Sequence, residues 1–590
     1  MSVVLGIHDG HHSNASIFVD NKLVAAFAEE RLTRKKSEYG YPEESIKHCL
    51  KVASLTKSDI DIVALSSIDL PPKYHIVKRS TTFSIEDFWK EQELYWYPKI
   101  YQNQKPSYLE IFSDKKADVN SPYDYSFVEN EDDTRGMLES RKDLIKRVLG
   151  IAQDNIHVFE HQSCHAYYGY YWYGETDDDF IVMTADGCGD GANGSIWTGK
   201  RGSNLKEIMR TNQCNIGRIY RYITLLLGMK PNEHEYKVMG LAPYANKRYA
   251  EKSYDIFSST IQVDNLDFRY KDAIKDHFWH FKSKLEGHRF DSIAYGLQKM
   301  TEDLLVKWVG NAVQETKINN VVLSGGVFLN VKANKKIWGL DDVQSLLVPP
   351  GASDESLSVG AAFRFLVENN HSSGFFDCEP KTDPYLGNCY DDEYIEKVLG
   401  GNKDLFVKRV GLKDIAELLV QEKVIARFSG RMELGPRALG NRSILADPRN
   451  RDVVAIINDM VKMRDFWMPF CPSILEDRMN DYIKNPKKIN GNYMTIAFDS
   501  TELGKKDIPA ALHPSDMTAR PQIVNSQTNE GYYQIIKEFE KITGVGCLLN
   551  TSFNLHGEPI VETPEDALDT MRRSGLKHIV LNNLLVSKES

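Results

Sequence analysis

The feature that most constrains the fold of this chain is a pattern written twice. Val3 to Ile7 reads as a short apolar strand, HDGHHSNAS as a polar turn, Ile17 to Val19 as a second strand, Asp20-Asn21 as a tight turn and Lys22 to Ala28 as a third strand. Short apolar runs bounded by Gly, Asn and Asp suit strands and turns. About 175 residues later, Phe180 to Ala185, then DGCGDGANG, then Ser195 to Thr198 repeat strand, polar turn and strand. Self-similarity at such a spacing points to a duplicated domain. Two ordinary hairpins would leave the same trace.

The second copy is preceded by the chemistry. His161 and His165 stand four apart in EHQSCHAYYGYYW, a segment without Pro, and on a helix that spacing stacks both imidazoles on one face. The strand FIVMTAD delivers Asp186 to the lip of the glycine turn, and VPPGASDESLSVGAA places Asp354 at the mouth of another turn, where a fourth ligand would need to be. Two imidazoles with two carboxylates suit a borderline divalent ion such as Fe(II), Mn(II) or Zn(II). A chance pair at i, i+4 on a surface or in a core is the competing reading.

Other stretches supply polar groups in loop settings. The loop in YRYITLLLGMKPNEHEYKVMGLAPY offers Glu235 and Lys237 as an acceptor and a donor, and NNVVLSGGVFLN runs a buried strand into Ser324-Gly325-Gly326 ahead of a helix carrying Asn330 and Asn334. Glycines at a strand-to-helix turn let backbone amides approach phosphate. The run Glu29 to Lys36 reads as a solvated charged face. Residues 70–140, aromatic and charged, read as an inserted lobe with a mobile acidic loop; Trp89, Tyr95, Trp96, Tyr97 and Tyr101 could stack on an acceptor, and Glu129 to Asp133 could hold a cationic one. Polar composition over 371–405 reads as a linker. Beyond it, SGRMELGPRALGNRSILADPR sets Arg431, Arg437, Arg442 and Arg449 on a partly apolar loop, as bidentate contacts to phosphate or carboxylate require. Lys462, Arg464, Arg520 and the NTSFN segment would complete an ATP or acyl-phosphate pocket if they converge.

Composition narrows the function. The formal charge of -10 argues against a general nucleic-acid binder, whose surface is normally basic. Eight cysteines without a CxxC pair signal neither a zinc knuckle nor a disulfide framework, and fit reduced thiols in the cytoplasm. The chain starts without a basic n-region and has no run of roughly eighteen apolar residues, so neither secretion nor a membrane partner is expected.

Taken together, HHSNASIFVD, AAFAEERLTRKK, EHQSCHA, NEHEYKVMGLAPY, SGGVFLN, GRMELGPRALGNRSILADPR and NTSFNLHGEPIVETPEDA resemble the carbamoyltransferase family of the nodulation-factor, cephamycin and tobramycin O-carbamoyltransferases, over nearly the whole chain. The resemblance implies an α/β chain: a duplicated actin-like (ASKHA) domain over 1–370, similar to the tRNA threonylcarbamoyladenosine transferase, and a YrdC-like domain over 406–590. It implies that ATP, with Mg(II), and carbamoyl phosphate give carbamoyl-adenylate in the second domain. The carbamoyl group then passes to a hydroxyl of a small-molecule acceptor in the first. Because water must be kept from the adenylate meanwhile, both sites are expected to open into one enclosed passage. It places Fe(II) on His161, His165, Asp186 and Asp354, and nucleotide contacts on Glu235, Lys237, Gly240, Ser324, Gly325, Gly326 and Asn330. His11, His12 and Arg31 fall beside the acceptor. In the second domain Arg437, Asn441, Arg442, Ser443, Lys462, Arg464, Ser473, Arg520, Asn550, Ser552 and Asn554 surround carbamoyl phosphate and ATP. The family reads His-Asp where this chain has His11-His12, so a second imidazole replaces a carboxylate beside the presumed catalytic histidine. A homodimer is compatible with this reading. Threonylcarbamoyl transfer, hydrogenase-maturation carbamoyl transfer and a non-enzymatic actin-like ATPase are the alternatives.

Overall fold

A computed structural model describes residues 2–116, 121–128, 130–174, 177–200, 203–370, 383–402 and 404–588. It is a mixed α/β structure in two compact units, Met1–Lys381 and Thr382–Ser590.

The doubled pattern of the sequence becomes two five-stranded sheets of one topology. The first contains β1 (Val3–His8), β2 (Asn14–Val19), β3 (Lys22–Ala28), β4 (Ile62–Ser66) and β5 (Ile156–Phe159), in the order β3-β2-β1-β4-β5. The second contains β6 (Phe180–Gly189), β7 (Ala192–Gly199) and β8 (Lys206–Thr211), then, past a separate hairpin of β9 (Ile261–Asp264) and β10 (Asp267–Tyr270), β11 (Asn320–Ser324) and β12 (Ser345–Leu347). Its order is β8-β7-β6-β11-β12. Each sheet opens with an antiparallel meander and adds two parallel strands on the other side of its first strand. The strands pairing in parallel need crossover connections, and those connections carry the functional insertions.

β1 is buried along its whole length. Its odd residues Val3, Leu5 and Ile7 join Ile46, Leu50, Ile145 and Leu149 in the core on one face of the sheet, as a period of two dictates. On the other face the helix Leu357–Asn370 lies so close that a Cβ on Gly6 would stand 2.1 Å from the Ser358 carbonyl oxygen, and one on Gly360 2.0 Å from that of Cys164. These two glycines let the helix approach both β1 and the helix His161–Trp172.

The stretch 70–140 is an insertion, as its composition suggests, but its charges are spent internally. Short helices Pro72–Ile76, Arg79–Thr82, Ile85–Lys90 and Tyr108–Ile111 gather Val77, Phe83, Phe88, Tyr95, Tyr108 and Phe112 into a core shared with Leu225 and Phe278 from outside the lobe. Trp89 packs edge-on against Phe278, and Tyr95 against Trp96 and Tyr108. Glu129 lies outside the described residues. Glu131 accepts from Ser107 Oγ at 2.6 Å and from the amides of Tyr108 and Leu109. Asp132 pairs with the buried Lys73 at 2.5 Å and with Lys99 at 3.7 Å, and Asp133 caps the helix Thr134–Leu149. The expectation that this acidic stretch holds a cationic acceptor is therefore corrected: its described carboxylates fasten the lobe. The run Glu29 to Lys36 departs from a solvated face in the same way, since Glu29 and Arg31 are buried and the Glu29 carboxylate accepts the amides of Glu44 and Ser45.

The lobe is locked to the first sheet by one side chain. Arg141, fully buried on the helix Thr134–Leu149, donates to both Asp9 carboxylate oxygens, the shortest contact being 2.7 Å, and to the carbonyls of Ser66 and Ser67 at 2.8 and 2.7 Å. Tyr123 adds a hydroxyl to Asp9 Oδ2 at 2.7 Å.

The second unit is built on an eight-stranded mixed sheet. Its strands run in the order Leu405–Arg409, Leu584–Lys588, His578–Leu581, Ile425–Phe428, Arg442–Ala446, Cys547–Ser552, Cys471–Leu475, Gln522–Val524. The linker reading of 371–405 is corrected from Asp383 onward, residues 371–382 lying outside the described ones. Asp392–Gly400 is a helix whose Ile395 and Leu399 enter the core of this unit. One apolar stripe at i, i+4 on a short polar helix is too little to tell it from a linker by composition. No helix among the described residues is long and apolar enough to cross a membrane, and the seven described cysteines are free thiols.

The Asp9–Arg141 pair contributes to the acid sensitivity of the first unit. Burial by itself would raise Asp9, but the Arg141 charge and hydrogen bonds bring it down to about 2, from 3.8. With the folded value below the unfolded one, the stabilisation is complete above pH 4 and is lost as pH falls through 2. Its size is about 2 kcal/mol. Asp9→Asn should flatten that acid limb while costing about 3–5 kcal/mol at neutral pH, because Arg141 stays buried without its anion. Denaturation of the first unit across a pH series measures both effects.

Candidate active site

The centre of the first unit is a group of four side chains from three elements. Glu160 accepts the amides of Gln162 and Ser163, starting the helix His161–Trp172. That helix is buried throughout and so can carry its imidazoles inward. Asp186 sits on β6 and Asp354 on the turn before the helix Leu357–Asn370. The Nε2 atoms of His161 and His165 are 3.2 Å apart. Asp186 Oδ2 lies 2.8 Å from the first and 3.5 Å from the second, and Asp354 Oδ1 lies 3.8 and 3.5 Å away. One ligand atom from each residue falls within 4.8 Å of every other.

These residues fit a divalent metal. Asp354 Oδ1 is buried without a hydrogen-bond partner, and two imidazole nitrogens face each other where at most one proton can be shared. Burial would lower His161, yet the hydrogen bond it donates to Asp186 and the charges of Asp354 and Asp186 push it up to about 10. Burial would likewise raise Asp186, whose bonds to His161 and His165 hold it well below the ordinary carboxylate range. Without metal the two carboxylates thus depend on protonated histidine, the charge a cation would replace. Glycines make the room: a Cβ on Gly189 would stand 2.1 Å from the His161 ring, one on Gly325 (φ +98°) 2.3 Å from Ala185 O, and one on Gly326 3.0 Å from Asp186 Oδ1. The Ser324 to Gly326 turn, read from the sequence as a phosphate cradle, thus has a packing reason for its glycines beside the Asp186 carboxylate.

The first turn of β1-β2 leans on this centre. Asn14 donates from Nδ2 to the carbonyls of His12 and Asp354, at 2.7 and 2.8 Å, and accepts the Ser358 amide at Oδ1. This bridge across 340 residues was not singled out by sequence reasoning, although Asn14 is visible in HHSNAS. The rings of His11 and His12 lie 4.0 Å apart. Burial and the His12 charge hold His11 well below the ordinary histidine value, against the opposing charges of Asp354 and Asp186. Glu30 Oε2 stands 3.9 Å from His12 Nδ1, and Glu30 Oε1 3.6 Å from Arg31 Nε. A carboxylate of the helix Glu29–Thr33 thus stands near His12. Glu235, pushed up to about 7 by burial, accepts the Asn232 amide and feels the charge of His12. Lys237 and Gly240 are buried on the same short helix, Glu235–Leu241. Asn330 caps the helix Val331–Trp338 and exchanges hydrogen bonds with Gln298, so its amide is engaged within the fold.

In the second unit the residues foreseen as ligand contacts divide into two groups. Arg442 is fully buried; its guanidinium lies 3.6 Å from the Phe428 ring centroid and donates to the carbonyls of Ser429 and Gly430. Arg431 grips the carbonyls of Leu386 and Gly387, and Arg449 the carboxylate of Asp447. Asn550 donates to Ser473 Oγ and Gln522 Oε1 inside the sheet, Asn441 donates to Arg431 O, and Ser443 accepts the Gly440 amide. Arg442, Ser473 and Ser443 are 0% exposed and, through these bonds, hold the loop and strands in place. Lys462 is buried too, with Nζ on Ser552 and Asn554. Arg437, Arg464 and Arg520 are half-buried and keep accessible surface; Arg520 also donates to Cys471 Sγ at 2.8 Å.

Comparison with known proteins places this geometry. An uncharacterized protein of Synechocystis sp. is 28% identical, over 100% of this chain and 97% of its own length. The nodulation protein NolNO of Sinorhizobium fredii is 29% identical over 98% of this chain and 79% of its own. Full-length HypF, in a phosphate- and nucleotide-bound crystal structure, aligns at a TM-score of 0.30 and 11% identity, covering 63% of this chain and 56% of that one, a likeness too slight to carry an inference. The sequence models of the carbamoyltransferase N-terminus and C-terminus match residues 3–363 and 416–588, and the chain belongs to the carbamoyltransferase family of enzymes.

Proposed function

We propose that the chain is an ATP-dependent O-carbamoyltransferase of small-molecule biosynthesis in the cytoplasm. The observation that carries this reading is the convergence of His161, His165, Asp186 and Asp354 with the His11-His12 turn, in a chain of this family. The two sheets of matching topology are read as an actin-like domain and the second unit as a YrdC-like domain. In the second, carbamoyl phosphate, ATP and one water would yield carbamoyl-adenylate, phosphate and pyrophosphate; in the first, the carbamoyl group would move to an acceptor hydroxyl with release of AMP.

His161, His165, Asp186 and Asp354 would hold the metal, taken as Fe(II), which supplies Lewis-acid polarisation when bound. His11, kept neutral by its surroundings, is the group to take the hydroxyl proton. His12 and Glu30 stand behind it and can balance the charge that results. Arg437, Arg464 and Arg520 would grip the phosphates of ATP and carbamoyl phosphate. The buried Arg442, Ser473 and Asn550 keep their loop and sheet rigid, which is how binding energy is turned into positioning.

Two expected outcomes separate the two half-reactions. His161→Ala or Asp354→Ala should lose bound metal by elemental analysis and abolish transfer, while carbamoyl-adenylate, measured by mass spectrometry with carbamoyl phosphate and ATP, still accumulates. Metal retained at wild-type stoichiometry in both variants would rule out the ligand set. Arg437→Ala or Arg520→Ala should cut adenylate formation by about 30-fold or more, the equivalent of a charge-assisted contact of about 2 kcal/mol, yet still use supplied carbamoyl-adenylate. No rescue in a folded variant would refute the assignment of two chemistries to two units.

A further inference from the structure

His161 and His165 are not held alike. His165 Nδ1 is buried without a partner, whereas His161 Nδ1 is 3.0 Å from Ser67 Oγ. Ser67 follows β4, is 1% exposed and has φ of +65°. A serine seldom adopts that left-handed conformation, and such a residue persists when its surroundings over-determine it.

Here the surroundings do so from both sides. The Ser67 amide donates to Phe159 O at 2.8 Å, and its carbonyl accepts from Arg141 Nη1 at 2.7 Å. Just beyond it, the amides of Ile68 and Asp69 donate to the Asp190 carboxylate at 2.9 and 2.7 Å. That carboxylate also accepts the backbone amide of His161 at 2.7 Å. Asp190 therefore ties the loop carrying Ser67 to the first residue of the helix carrying His161, while Arg141 fixes the loop from the lobe.

We infer that Ser67 is a positioning residue for the metal centre: its hydroxyl receives the Nδ1 proton of His161, selects the tautomer with a lone pair on Nε2, and aims that atom at the ligand group. Partners on the second nitrogen of a ligating histidine fix ring orientation and basicity in this way. Arg141 and Asp190 hold the serine in place, so the inserted lobe and the glycine turn of β6 both bear on the same imidazole. This inference rests on the metal reading of the four side chains.

The test is metal affinity. Metal-free protein is titrated with Co(II), Zn(II) and, anaerobically, Fe(II), in competition with a chromophoric chelator, and the Co(II) ligand-field spectrum is recorded. Ser67→Ala removes the hydroxyl; Ser67→Gly removes it and also relieves the left-handed backbone, so at least one variant keeps the native Tm. Both should bind about 10- to 100-fold more weakly, with a shifted Co(II) spectrum and, in the variant of native Tm, no change in metal-free stability. Wild-type affinity and spectrum in a folded Ser67 variant would overturn the positioning role. If instead the wild type binds none of the three ions, or His161→Ala binds as tightly as wild type, the metal reading itself fails and this inference falls with it.

Discussion

In the first unit a buried ion pair fastens the inserted lobe to the first sheet. Arg141 and Asp9 are both withdrawn from water, a costly arrangement that is tolerable only when the remaining donors and acceptors are met. They are met by the Ser66 and Ser67 carbonyls and by Tyr123. This pair joins the lobe helix to the end of β1 and to the end of β4, where the His11 turn and Ser67 respectively begin. Its worth therefore lies in specificity of placement as much as in stability.

The four ligand residues are distributed to make the centre sensitive to the packing of both sheets. Two come from a helix between the sheets, one from β6 and one from the turn before the helix against β1. Gly6 and Gly360 allow that helix to close on β1 and on the helix His161–Trp172, so Asp354 and the histidines approach by backbone contact instead of through long side chains. Asn14 then passes the position of Asp354 to the turn holding His12.

Much of this was legible in the residues. The doubled strand and turn pattern gave the two meanders because β1 and β6 are apolar runs broken by unmistakable polar turns, and the convergence of His161, His165, Asp186 and Asp354 was readable from two histidines at i, i+4 and two acids at strand and turn ends. What stayed hidden depends on partners distant in sequence. Asp132 looks like a solvent charge until Lys73, 59 positions away, is found against it, and Ser67 in LSSID carries no signal at all until His161 meets it from 94 positions away. In the second unit, residue type could not tell an arginine that grips carbonyls, such as Arg442, from one with surface left for a phosphate, such as Arg437.

The crossover from β4 to β5 carries the inserted lobe, and both of its ends adjoin the group of His161, His165, Asp186 and Asp354. Ser67 lies at its entrance; β5 at its exit runs directly into Glu160 and His161. The lobe is in this sense a cassette fastened at both seams: the entrance loop and the helix bearing Arg141 are tied together and, through Asp9, to β1, so neither seam can shift without the elements that place His161.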